Sequence, residues 1–463
     1  MNNGKLAAVI LAAGRGTRMK SEHSKILHPL CGAPMGCYPV RAARDLGCEP
    51  ILMVVGHDSE NVQQAFAAEK VGFAPQSPQL GTGHALLCAE EALNGFSGTL
   101  LLLCADVPLL TPATLARFLE FHRTRQAAVT VLTMQQDDPR GYGRILRDGE
   151  EIHRIVEEKD AGDQEKTISE VNTGIYLFES PLIFRLLHGI GNDNAQREYY
   201  LTDTVRAARE AREKVCAMTL ADAREAIGIN DRVQLAQAEA ILRRRINETH
   251  MTQGVTFVDP DAAYVEAPVE IGADTVIHPG AHLQGKTVLG RNCVIEPGVV
   301  IRDSRIADGV HIKAHSVVQE SEIGPHCQIG PMAHLRHGTI LRGDNKIGNF
   351  VETKKADIGL RTAASHLTYL GDSEIGADVN IGCGTITCNY DGVRKYKTII
   401  EDQVFVGSDT QLVAPVRIGR NSLIGAGSTI VRDVPADALA LSRAEQKNIE
   451  GWRLRERKKK SDK

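Results

Sequence analysis

Apolar and polar positions alternate along this chain in two ways, and the first way fills residues 1–229. Short apolar runs are separated there by stretches whose apolar residues recur at helical spacing. The runs predict strands at 7–13, 51–55, 99–104, 128–134 and 174–178, with a hairpin around Asp148-Gly149, and the helical stretches lie at 58–68, 82–93 and 111–123. This order predicts an α/β domain with a mostly parallel sheet, whose ligands bind beyond the carboxyl ends of the strands.

The second pattern begins at Ile271, where an aliphatic residue starts to return every six positions. A helix returns at three and four and a strand at two, so a strict six indicates the hexapeptide repeat of a parallel β-helix, with about 18 residues per coil. The frame slips by one residue twice, and the repeat runs through Ile271, Ile277, Leu283, Leu289, Ile295, Ile301, Ile306, Ile312, Val318, Ile323, Ile329, Leu335, Leu341, Ile347, Ile375, Ile381, Ile400, Val406, Leu412, Ile418, Ile424 and Ile430.

Two segments, 359–373 and 387–399, break the repeat. We expect both to be loops outside the solenoid, where binding residues are commonly placed. Between the two patterns, the polar and Arg-rich stretch 231–249 predicts one long helix that serves as an arm. The predicted organisation is therefore a first domain at 1–229, a helical linker at 230–250 and a β-helix at 251–463 with a basic tail.

Composition excludes several classes of protein. Lys and Arg number 54 against 58 Asp and Glu, so nothing indicates binding to nucleic acid or to a membrane surface. The basic run 453–463 is predicted to be a solvated end. The ten Cys are scattered without metal-ligand spacing, which indicates neither zinc nor disulfides and fits a reducing cytosol. No targeting or membrane-spanning segment is expected, since the apolar run 6–13 is too short.

The first strand runs into the loop GRGTR at 14–18. No Lys-Ser or Lys-Thr follows as in a Walker loop, and Met19 stands where a dinucleotide fingerprint has its third Gly. Two interpretations remain open for the loop alone. It is either an ordinary Gly turn or a loop whose backbone N–H groups, with Arg18 and Lys25, neutralise a triphosphate.

Further polar residues follow the predicted strands of this domain. Asp106 comes directly after the apolar run 99–104, where a carboxylate serves either as a Mg²⁺ ligand or as a simple turn residue. Gln76 and the Gly-rich turn 80–83 suit hydrogen bonds to a base edge. Single polar residues at strand ends are usually structural, and the same holds for Glu157, Asn172 and Asn230 when each is taken alone.

The segment SHLTYLG at 365–371 carries a histidine outside the hexad frame. His366 is either a satisfied loop residue or a general base, because an amine must lose a proton before it attacks a thioester. A thioester is already activated, so no cysteine or serine nucleophile is needed.

In combination, these motifs resemble the sugar-1-phosphate nucleotidyltransferases. The resemblance is carried by Lys25 and by LAAGRGTR at 11–18, QLGTGH at 79–84, DVP at 106–108, GYGR at 141–144, VE at 156–157, NTG at 172–174 and YYLTD at 199–203. Together with the hexapeptide half, the whole chain resembles the family of bacterial bifunctional N-acetylglucosamine-1-phosphate uridylyltransferases/glucosamine-1-phosphate N-acetyltransferases. This resemblance implies a Rossmann-like nucleotidyltransferase domain, a helical arm and a left-handed parallel β-helix that forms a homotrimer with shared acetyl-transfer sites.

For the first domain, the resemblance implies a UTP and sugar-phosphate site. The triphosphate would lie on Leu11, Ala12, Ala13, Gly14, Arg18 and Lys25, the uracil on Gln76, Gly81 and Thr82, the sugar on Gly143, Glu157 and Asn172, and Mg²⁺ on Asp106 and Asn230. Arg18 and Lys25 would also assist catalysis. The family usually has Tyr-Gly before this Asp, whereas the chain has Cys104-Ala105, which puts contacts from those two positions in doubt.

For the second domain, the resemblance implies His366 as the base of acetyl transfer. The amino-sugar phosphate would lie on Arg336, Lys354, Tyr369 and Asn380, and acetyl-CoA on Cys383, Asn389, Tyr390, Ser408, Ala426 and Arg443. The family often has Ala where this chain has Cys383. That thiol is either a plain small residue or one that is sensitive to alkylation and oxidation.

The implied function is synthesis of UDP-N-acetylglucosamine, a precursor of peptidoglycan and lipopolysaccharide. Acetyl-CoA acetylates glucosamine-1-phosphate, and UTP then converts the N-acetylglucosamine-1-phosphate to product and pyrophosphate. One alternative is a monofunctional nucleotidyltransferase whose β-helix only oligomerises or regulates, and another is a scaffold without chemistry. His366, Arg336, Lys354 and Asn389-Tyr390 discriminate against the first, and Lys25, Asp106 and Asn230 against the second.

Overall fold

The computed structural model describes residues 4–14, 16–149 and 151–455. Contacts divide the chain into two compact units, and the boundary in the sequence falls between Leu242 and Arg243. The strands of the first unit are β1 Leu6–Ala12, β2 Pro29–Leu30, β3 Ala33–Pro34, β4 Ile51–Val55, β5 Gly72–Pro75, β6 Gly98–Cys104, β7 Val129–Gln135, β8 Arg144–Asp148, β9 Glu151–Val156, β10 Glu170–Ser180 and β11 Val215–Thr219.

The helices alternate with these strands. They are α1 Cys37–Asp45, α2 Ser59–Ala65, α3 Thr82–Leu87, α4 Pro112–Arg125, α5 Leu182–Gly189, α6 Asp203–Glu210 and α7 Arg232–Thr252, with 3₁₀ turns at Thr17–Met19, Lys25–Leu27, Ala67–Glu69, Glu91–Leu93, Glu165–Thr167 and Ala223–Ala226. Helix α4 shows how the sequence starts such an element. The Thr111 hydroxyl accepts a hydrogen bond from the Thr114 backbone N–H at 3.2 Å, and Pro112 occupies the first turn.

The main sheet has the strand order β11-β7-β10-β6-β1-β4-β5, with the hairpin β8-β9 attached to β10. Strands β6, β1, β4 and β5 run parallel, as predicted, whereas β10 runs antiparallel between β6 and β7. The sequence reading missed β5 and β11. Both are short: β5 has only Phe73 and Ala74 between a glycine and a proline, and β11 has four successive apolar residues without the alternation that marks a strand.

Strand β1 is buried on both faces of this sheet. Leu6, Ala8 and Ile10 belong to one apolar core, and Ala7 and Val9 belong to the core on the opposite face. Helices α1 and α4 cover the first face, and α3, α5 and α6 cover the second. A strand buried on both faces must be apolar throughout, which explains the continuous apolar run.

Helix α7 confirms the long helix predicted at 231–249. It begins in the first unit, where Leu235, Ala238 and Ile241 pack on the cluster that contains Met19. It ends in the second unit, where the Asn247 side-chain amide donates to the Pro260 carbonyl at 2.7 Å.

The second unit is a stack of short parallel strands that together form a β-helix. The strands are β12 Thr256–Phe257, β13 Tyr264–Val265, β14 Glu270–Ile271, β15 Val276–Ile277, β16 His282–Gln284, β17 Val288–Leu289, β18 Val294–Ile295, β19 Val300–Arg302, β20 Arg305–Ile306, β21 His311–Ile312, β22 Val317–Gln319, β23 Glu322–Ile323, β24 Gln328–Ile329, β25 His334–Leu335, β26 Ile340–Leu341, β27 Lys346–Ile358, β28 Ala363–Ile375, β29 Asn380–Ile381, β30 Ile386–Cys388, β31 Thr398–Ile400, β32 Phe405–Val406, β33 Gln411–Val413, β34 Val416–Ile418, β35 Leu423–Ile424, β36 Thr429–Ile430 and β37 Leu439–Ala440.

The predicted hexad residues form the interior of this β-helix. Ile277 pairs with Ile295, and Ile295 pairs with Ile312, so equivalent positions recur once per coil. The aliphatic residues of the repeat, from Ile271 to Ile430, all lie in one core cluster. The hexapeptide prediction is therefore confirmed, and the frame slips correspond to coils that are one residue shorter.

The prediction that 359–373 forms a loop outside the solenoid is wrong. Most of this segment belongs to β28, which pairs in parallel with β27, and His366 lies within that strand. Ala364 and Leu370 take the interior positions of this coil, stacked on Ile347 and Thr353. Because Ala and Thr replace the usual aliphatic residues here, the period vanished from the sequence although the coil continues. The second predicted loop is real, since the chain leaves the ladder between β30 and β31.

Candidate active sites

The loop after β1 lies at the carboxyl edge of the sheet. Gly16 takes a left-handed φ of +60°, and a Cβ there would lie 2.7 Å from the Cβ of Lys25. Glycine is therefore required for the loop to pass this close to the 3₁₀ turn that carries Lys25. The turn buries the Lys25 stem and directs its ammonium into the sheet edge.

Lys25, Asp106 and Asn230 come together there from distant parts of the chain. The Lys25 Nζ lies 2.5 Å from Asp106 Oδ2 and 3.2 Å from Asn230 Oδ1. The backbone N–H of Ile229 donates to the Asp106 carbonyl at 2.8 Å, which holds the two oxygen-bearing residues side by side. The Lys25 ammonium thus contacts both a carboxylate oxygen and an amide oxygen. All three residues are buried or partly buried.

A cavity of about 620 Å³ opens beside this cluster. Its described lining residues are Leu11, Ala12, Ala13, Gly14, Lys25, Ile26, Gln76, Pro78, Gln79, Gly81, Thr82, Ala85, Cys104, Asp106 and Glu198. Arg18 is exposed on the Thr17–Met19 turn, and it is not among the described residues that line the cavity. Nine of the positions assigned to the nucleotide and its metal therefore line one cavity, whereas Arg18 and Asn230 are not among its described lining residues.

The turn 80–83 forms another wall of the cavity. The Gln76 side-chain amide donates to the Gly81 carbonyl at 2.9 Å, and the Gly83 N–H donates to the Tyr199 carbonyl at 2.8 Å. Gly81 has φ +106°, and a Cβ there would lie 2.7 Å from the Tyr199 carbonyl oxygen. The glycines of this turn are thus explained by a close approach of the 199–202 segment.

Gly143, Asn172 and Glu157 also meet. The Asn172 N–H donates to the Gly143 carbonyl at 2.8 Å, and a Cβ on Gly143 would lie 3.6 Å from Glu157 Oε1. A bulge in β10 between Asn172 and Tyr176 turns the strand at this point. Burial raises the pKa of the Glu157 carboxyl, and a hydrogen bond of 3.0 Å from the Thr202 hydroxyl opposes that rise.

Cys104 lines the cavity, whereas Ala105 is fully buried. Burial, and then the nearby Asp106 carboxylate, raise the pKa of the Cys104 thiol to about 12. The thiol therefore stays protonated near neutral pH, and it donates to the Gly174 carbonyl at 3.4 Å. It contributes shape rather than a nucleophile.

In the second unit, three cationic side chains lie near Lys354 of β27. They belong to Arg336, Lys354 and Lys395. The ammonium of Lys395 lies beside that of Lys354 and, with a further contribution from Arg336, lowers the pKa of Lys354. Arg336 Nη1 lies 2.7 Å from Glu352 Oε1. The Asp372 carboxylate opposes this lowering of the Lys354 pKa. Clustered cations of this kind can bind a phosphate.

His366 lies in a column of residues at one corner of successive coils. Asn349 pairs with His366 in register. On this and the next three coils, the interior residues that pair with one another are Ala364, Ile381, Val406 and Ile424. The residue two positions after each of them lies at the same corner, and these residues are His366, Cys383, Ser408 and Ala426. We name Asn349, His366, Cys383, Ser408 and Ala426 the corner column. Neighbouring members lie about 4.8 Å apart, the spacing of paired strands.

The imidazole of His366 is exposed at this corner and is oriented from below. Its Nδ1 lies 2.8 Å from Asn349 Oδ1. Because an amide oxygen only accepts, Nδ1 carries the proton and Nε2 is left as the acceptor. This is the tautomer that a general base needs.

The other acetyl-site residues lie around the column. Arg443 donates to the Ala426 carbonyl at 2.7 Å, and the Asn389 amide donates to Asp372 at 2.5 Å. Tyr390 is exposed, and its hydroxyl donates to the Gly392 carbonyl at 2.6 Å. Asn380 belongs to a different stack of strands from Tyr369, so one chain does not bring these two together.

Sequence reasoning missed several partners of the predicted residues. They are Asn349 beside His366, Glu352 beside Arg336, Lys395 beside Lys354 and Asp372 beside Asn389. Asn349, Glu352 and Asp372 are each one coil away from their partner. The coil period was therefore the signal that could have found them, whereas Lys395 lies in the irregular loop after β30.

Both units also match known transferase families. Residues 8–185 match the MobA-like NTP transferase domain, residues 265–359 match the GMPPB C-terminal domain, and residues 397–432 match the bacterial transferase hexapeptide of six repeats. The class of protein that fold and sites define is thus a nucleotidyltransferase joined to a hexapeptide acyltransferase of the left-handed β-helix type.

Curated relatives extend this likeness over the whole chain. The bifunctional protein GlmU of Syntrophotalea carbinolica is 63% identical over 455 residues, which is 98% of each chain. The proteins of the same name from Pelobacter propionicus and Geotalea uraniireducens are each 56% identical, over 98% and 99% of this chain and 99% and 100% of theirs. The chain belongs to the family of the bifunctional protein GlmU, and it is a bifunctional transferase of UDP-N-acetylglucosamine synthesis.

Two general features complete the description. All ten cysteines are free thiols. Within the described part of the chain, no helix combines the length and the apolar character needed to cross a membrane.

Proposed function

We propose that the first unit transfers a uridylyl group from UTP to N-acetylglucosamine-1-phosphate at the cavity beside β1. The observation that carries this proposal is the convergence of Lys25, Asp106 and Asn230 beside a phosphate loop. The triphosphate lies along 11–14 near Lys25, the uracil lies on Gln76, Gly81 and Thr82, and the sugar lies on Gly143, Glu157 and Asn172. Arg18 takes part only if the loop brings its side chain inward when UTP binds.

The site fits a magnesium ion. Asp106 Oδ2 and Asn230 Oδ1 both point at one cationic atom, the Lys25 Nζ, so the two oxygens already converge on positive charge. Mg²⁺ prefers such oxygen ligands, takes few of them from the protein and shares the phosphates of a nucleotide. Bound there, the ion would neutralise charge on the phosphates.

The reaction in this unit needs no covalent intermediate. A phosphate oxygen of the sugar phosphate attacks the α-phosphorus of UTP in line, the bond from that phosphorus to the bridging oxygen breaks, and pyrophosphate leaves. Lys25 stabilises the charge that develops on the phosphates, and Glu157 and Asn172 orient the sugar. Catalysis is therefore positioning and charge neutralisation.

We propose that the second unit acetylates glucosamine-1-phosphate at His366. The phosphate binds Arg336 and Lys354, and Lys395 adds a third cation. His366 Nε2 takes a proton from the sugar ammonium, the freed amine attacks the thioester carbon of acetyl-CoA, and the carbon–sulfur bond breaks to release the coenzyme. Asn349 holds the imidazole in the accepting tautomer.

The corner column supports an elongated coenzyme site. Cys383 follows His366 on the next coil, and Ser408 and Ala426 continue the line to Arg443. We propose that acetyl-CoA lies along this line with its thioester end beside His366 and Cys383. Asn389 and Tyr390 border the same ligand from the loop after β30.

We propose that the β-helix forms a homotrimer with acetyl-transfer sites shared between copies. Met332, Phe350 and Leu367 follow one another at the corner beside His366, and they are 49%, 55% and 59% exposed. All three have left-handed φ values of 53°, 57° and 36°, a conformation that is strained for bulky residues. We name these three the apolar corner, and an apolar partner surface explains their exposure.

Charging the apolar corner is expected to dissociate the oligomer. Burying Met332 and Phe350 contributes about 1.5–3 kcal/mol each, so Met332→Glu with Phe350→Glu should raise the dissociation constant at least about 10²-fold. The mass is measured by sedimentation at micromolar protein, and Val258→Glu, at an exposed apolar residue near the start of the β-helix, is the control. An unchanged trimer in the double variant would contradict this interface.

We place the enzyme in the cytoplasm, which suits its free thiols. The function is tested by incubating the protein with glucosamine-1-phosphate, acetyl-CoA, UTP and Mg²⁺ while free thiol and pyrophosphate are measured separately. Both are expected, with pyrophosphate depending on prior acetylation. Thiol without pyrophosphate, or pyrophosphate without thiol when N-acetylglucosamine-1-phosphate is supplied, would refute the assignment of the silent unit.

A further inference from the structure

The 199–202 segment connects the two halves of the uridylyl site. The Tyr199 N–H donates to the Leu80 carbonyl at 2.8 Å, and the Leu201 N–H donates to the Thr82 hydroxyl at 3.1 Å. One residue later, the Thr202 hydroxyl donates to Glu157 Oε1 at 3.0 Å. A single stretch of backbone is thus anchored on the turn proposed for the base and on the carboxylate proposed for the sugar.

Thr202 occupies an unusual position for this contact. It is the N-cap residue of α6, where a threonine hydroxyl ordinarily accepts a hydrogen bond from the first turn of the helix. Among the described residues, no such capping bond is made, and the hydroxyl donates to Glu157 instead. The Thr202 hydroxyl therefore bonds the Glu157 carboxylate rather than the start of its own helix.

The Glu157 carboxylate lies in surroundings that oppose its charge. Burial is the largest cause, and the carboxylates of Asp160, Asp203 and Glu198 add repulsion, so all of them raise its pKa. The guanidinium groups of Arg154 and Arg206 border the same small cavity, and Arg206 lies 3.5 Å from Asp203. The hydroxyl of Thr202, itself buried, is the group that favours the ionised form through a hydrogen bond.

We propose that Thr202 is a positioning residue of uridylyl transfer, which holds the Glu157 carboxyl aimed at the sugar hydroxyls while its segment is anchored on the base-binding turn. This inference rests on the proposed function, because it takes Glu157 as a sugar contact. An ionised carboxylate only accepts hydrogen bonds, and a sugar hydroxyl supplies the donor. A protonated Glu157 would lose that acceptor, so sugar binding weakens as the pH falls toward the raised pKa.

The test measures KM for N-acetylglucosamine-1-phosphate as a function of pH in Thr202→Val. Loss of the hydroxyl raises the Glu157 pKa further, so KM should rise about tenfold near neutral pH and its acid limb should move to higher pH. KM for UTP should change less than about twofold. Thr202→Ser retains the donor and should restore both the value and the pH profile.

Two controls separate positioning from folding. Thr204→Val removes a hydrogen bond of 2.6 Å to the Leu201 carbonyl at the start of the same helix without touching Glu157, so the acid limb should stay in place. In a Glu157→Ala background, Thr202→Val should raise KM no further, because no side-chain acceptor remains for the Thr202 hydroxyl. Thr202→Ala is a second donor-free variant should the valine form fold poorly.

The outcomes distinguish this inference from the proposed function. If wild type forms UDP-N-acetylglucosamine and the acid limb of both donor-free variants superimposes on that of wild type, the positioning role of Thr202 is refuted. An equal rise of KM in the Glu157→Ala background refutes it as well. If wild type itself releases no pyrophosphate, the proposed function fails, whatever Thr202 does.

Discussion

His366→Ala is expected to lower acetyl transfer to glucosamine-1-phosphate by about 10²–10⁴-fold, the usual contribution of a general base. The sugar ammonium must lose a proton before it attacks the thioester, and His366 is the imidazole that Asn349 presents in the accepting tautomer. Uridylyl transfer should continue, because its proposed residues lie in the other unit. The measurement is release of free thiol from acetyl-CoA, with pyrophosphate release from N-acetylglucosamine-1-phosphate and UTP recorded in parallel.

His326→Ala is the matched control for this experiment. His326 is likewise exposed at a coil corner, but it lies outside the corner column. Its replacement should leave both activities near wild type. Loss of both activities in His366→Ala would contradict two separate sites, and undiminished thiol release would show that another group removes the proton.

The second large effect is expected for Asp106→Asn. This change removes the carboxylate that pairs with Lys25 and that we propose as a Mg²⁺ ligand. Electrostatic groups of this kind typically contribute about 10²–10³-fold to kcat, so uridylyl transfer should fall by at least about 10²-fold. Acetyl transfer should persist, and the Mg²⁺ concentration needed for half-maximal pyrophosphate release should rise.

Asp137→Asn, at an exposed carboxylate after β7, controls for a general change of charge in the same unit. It should leave the Mg²⁺ dependence unchanged. An Asp106→Asn enzyme with the Mg²⁺ dependence of wild type would show that the metal assignment is wrong. A simultaneous loss of acetyl transfer would indicate that the variant had lost its fold rather than one site.

The main features of the fold could be read from periods. The hexad aliphatic residues line the β-helix core, and the strand at 51–55 was predicted to the residue. The segment 359–373 could not be read correctly, because Ala364 carries the interior position of its coil without an aliphatic signal. Strand β5 was missed for a similar reason, since Gly72 and Pro75 bound only two other residues.

Some residues of the candidate sites could likewise be predicted from the sequence, whereas others could not. Lys25 and Asp106 were chosen beside local motifs and Asn230 through the family resemblance, and the structure places the Lys25 ammonium within hydrogen-bond distance of the other two. The contacts of Asn349, Lys395 and Thr202 with the site residues could not be predicted from the sequence, because a residue that only positions another has no motif of its own. Which side chain holds a catalytic group depends on the register of neighbouring strands and on loop closure.

The sequence by itself determined the two architectures and the residue types of both sites, because periodicity and short motifs are local properties of the chain. The tertiary structure alone decided how those residues combine. Coil register stacks His366 on Asn349 and aligns it with Cys383, Ser408 and Ala426. Likewise, the close approach of 199–202 to Gly81 places Thr202 on Glu157. Such contacts depend on packing between segments far apart in the chain, and packing is settled only when the whole unit folds.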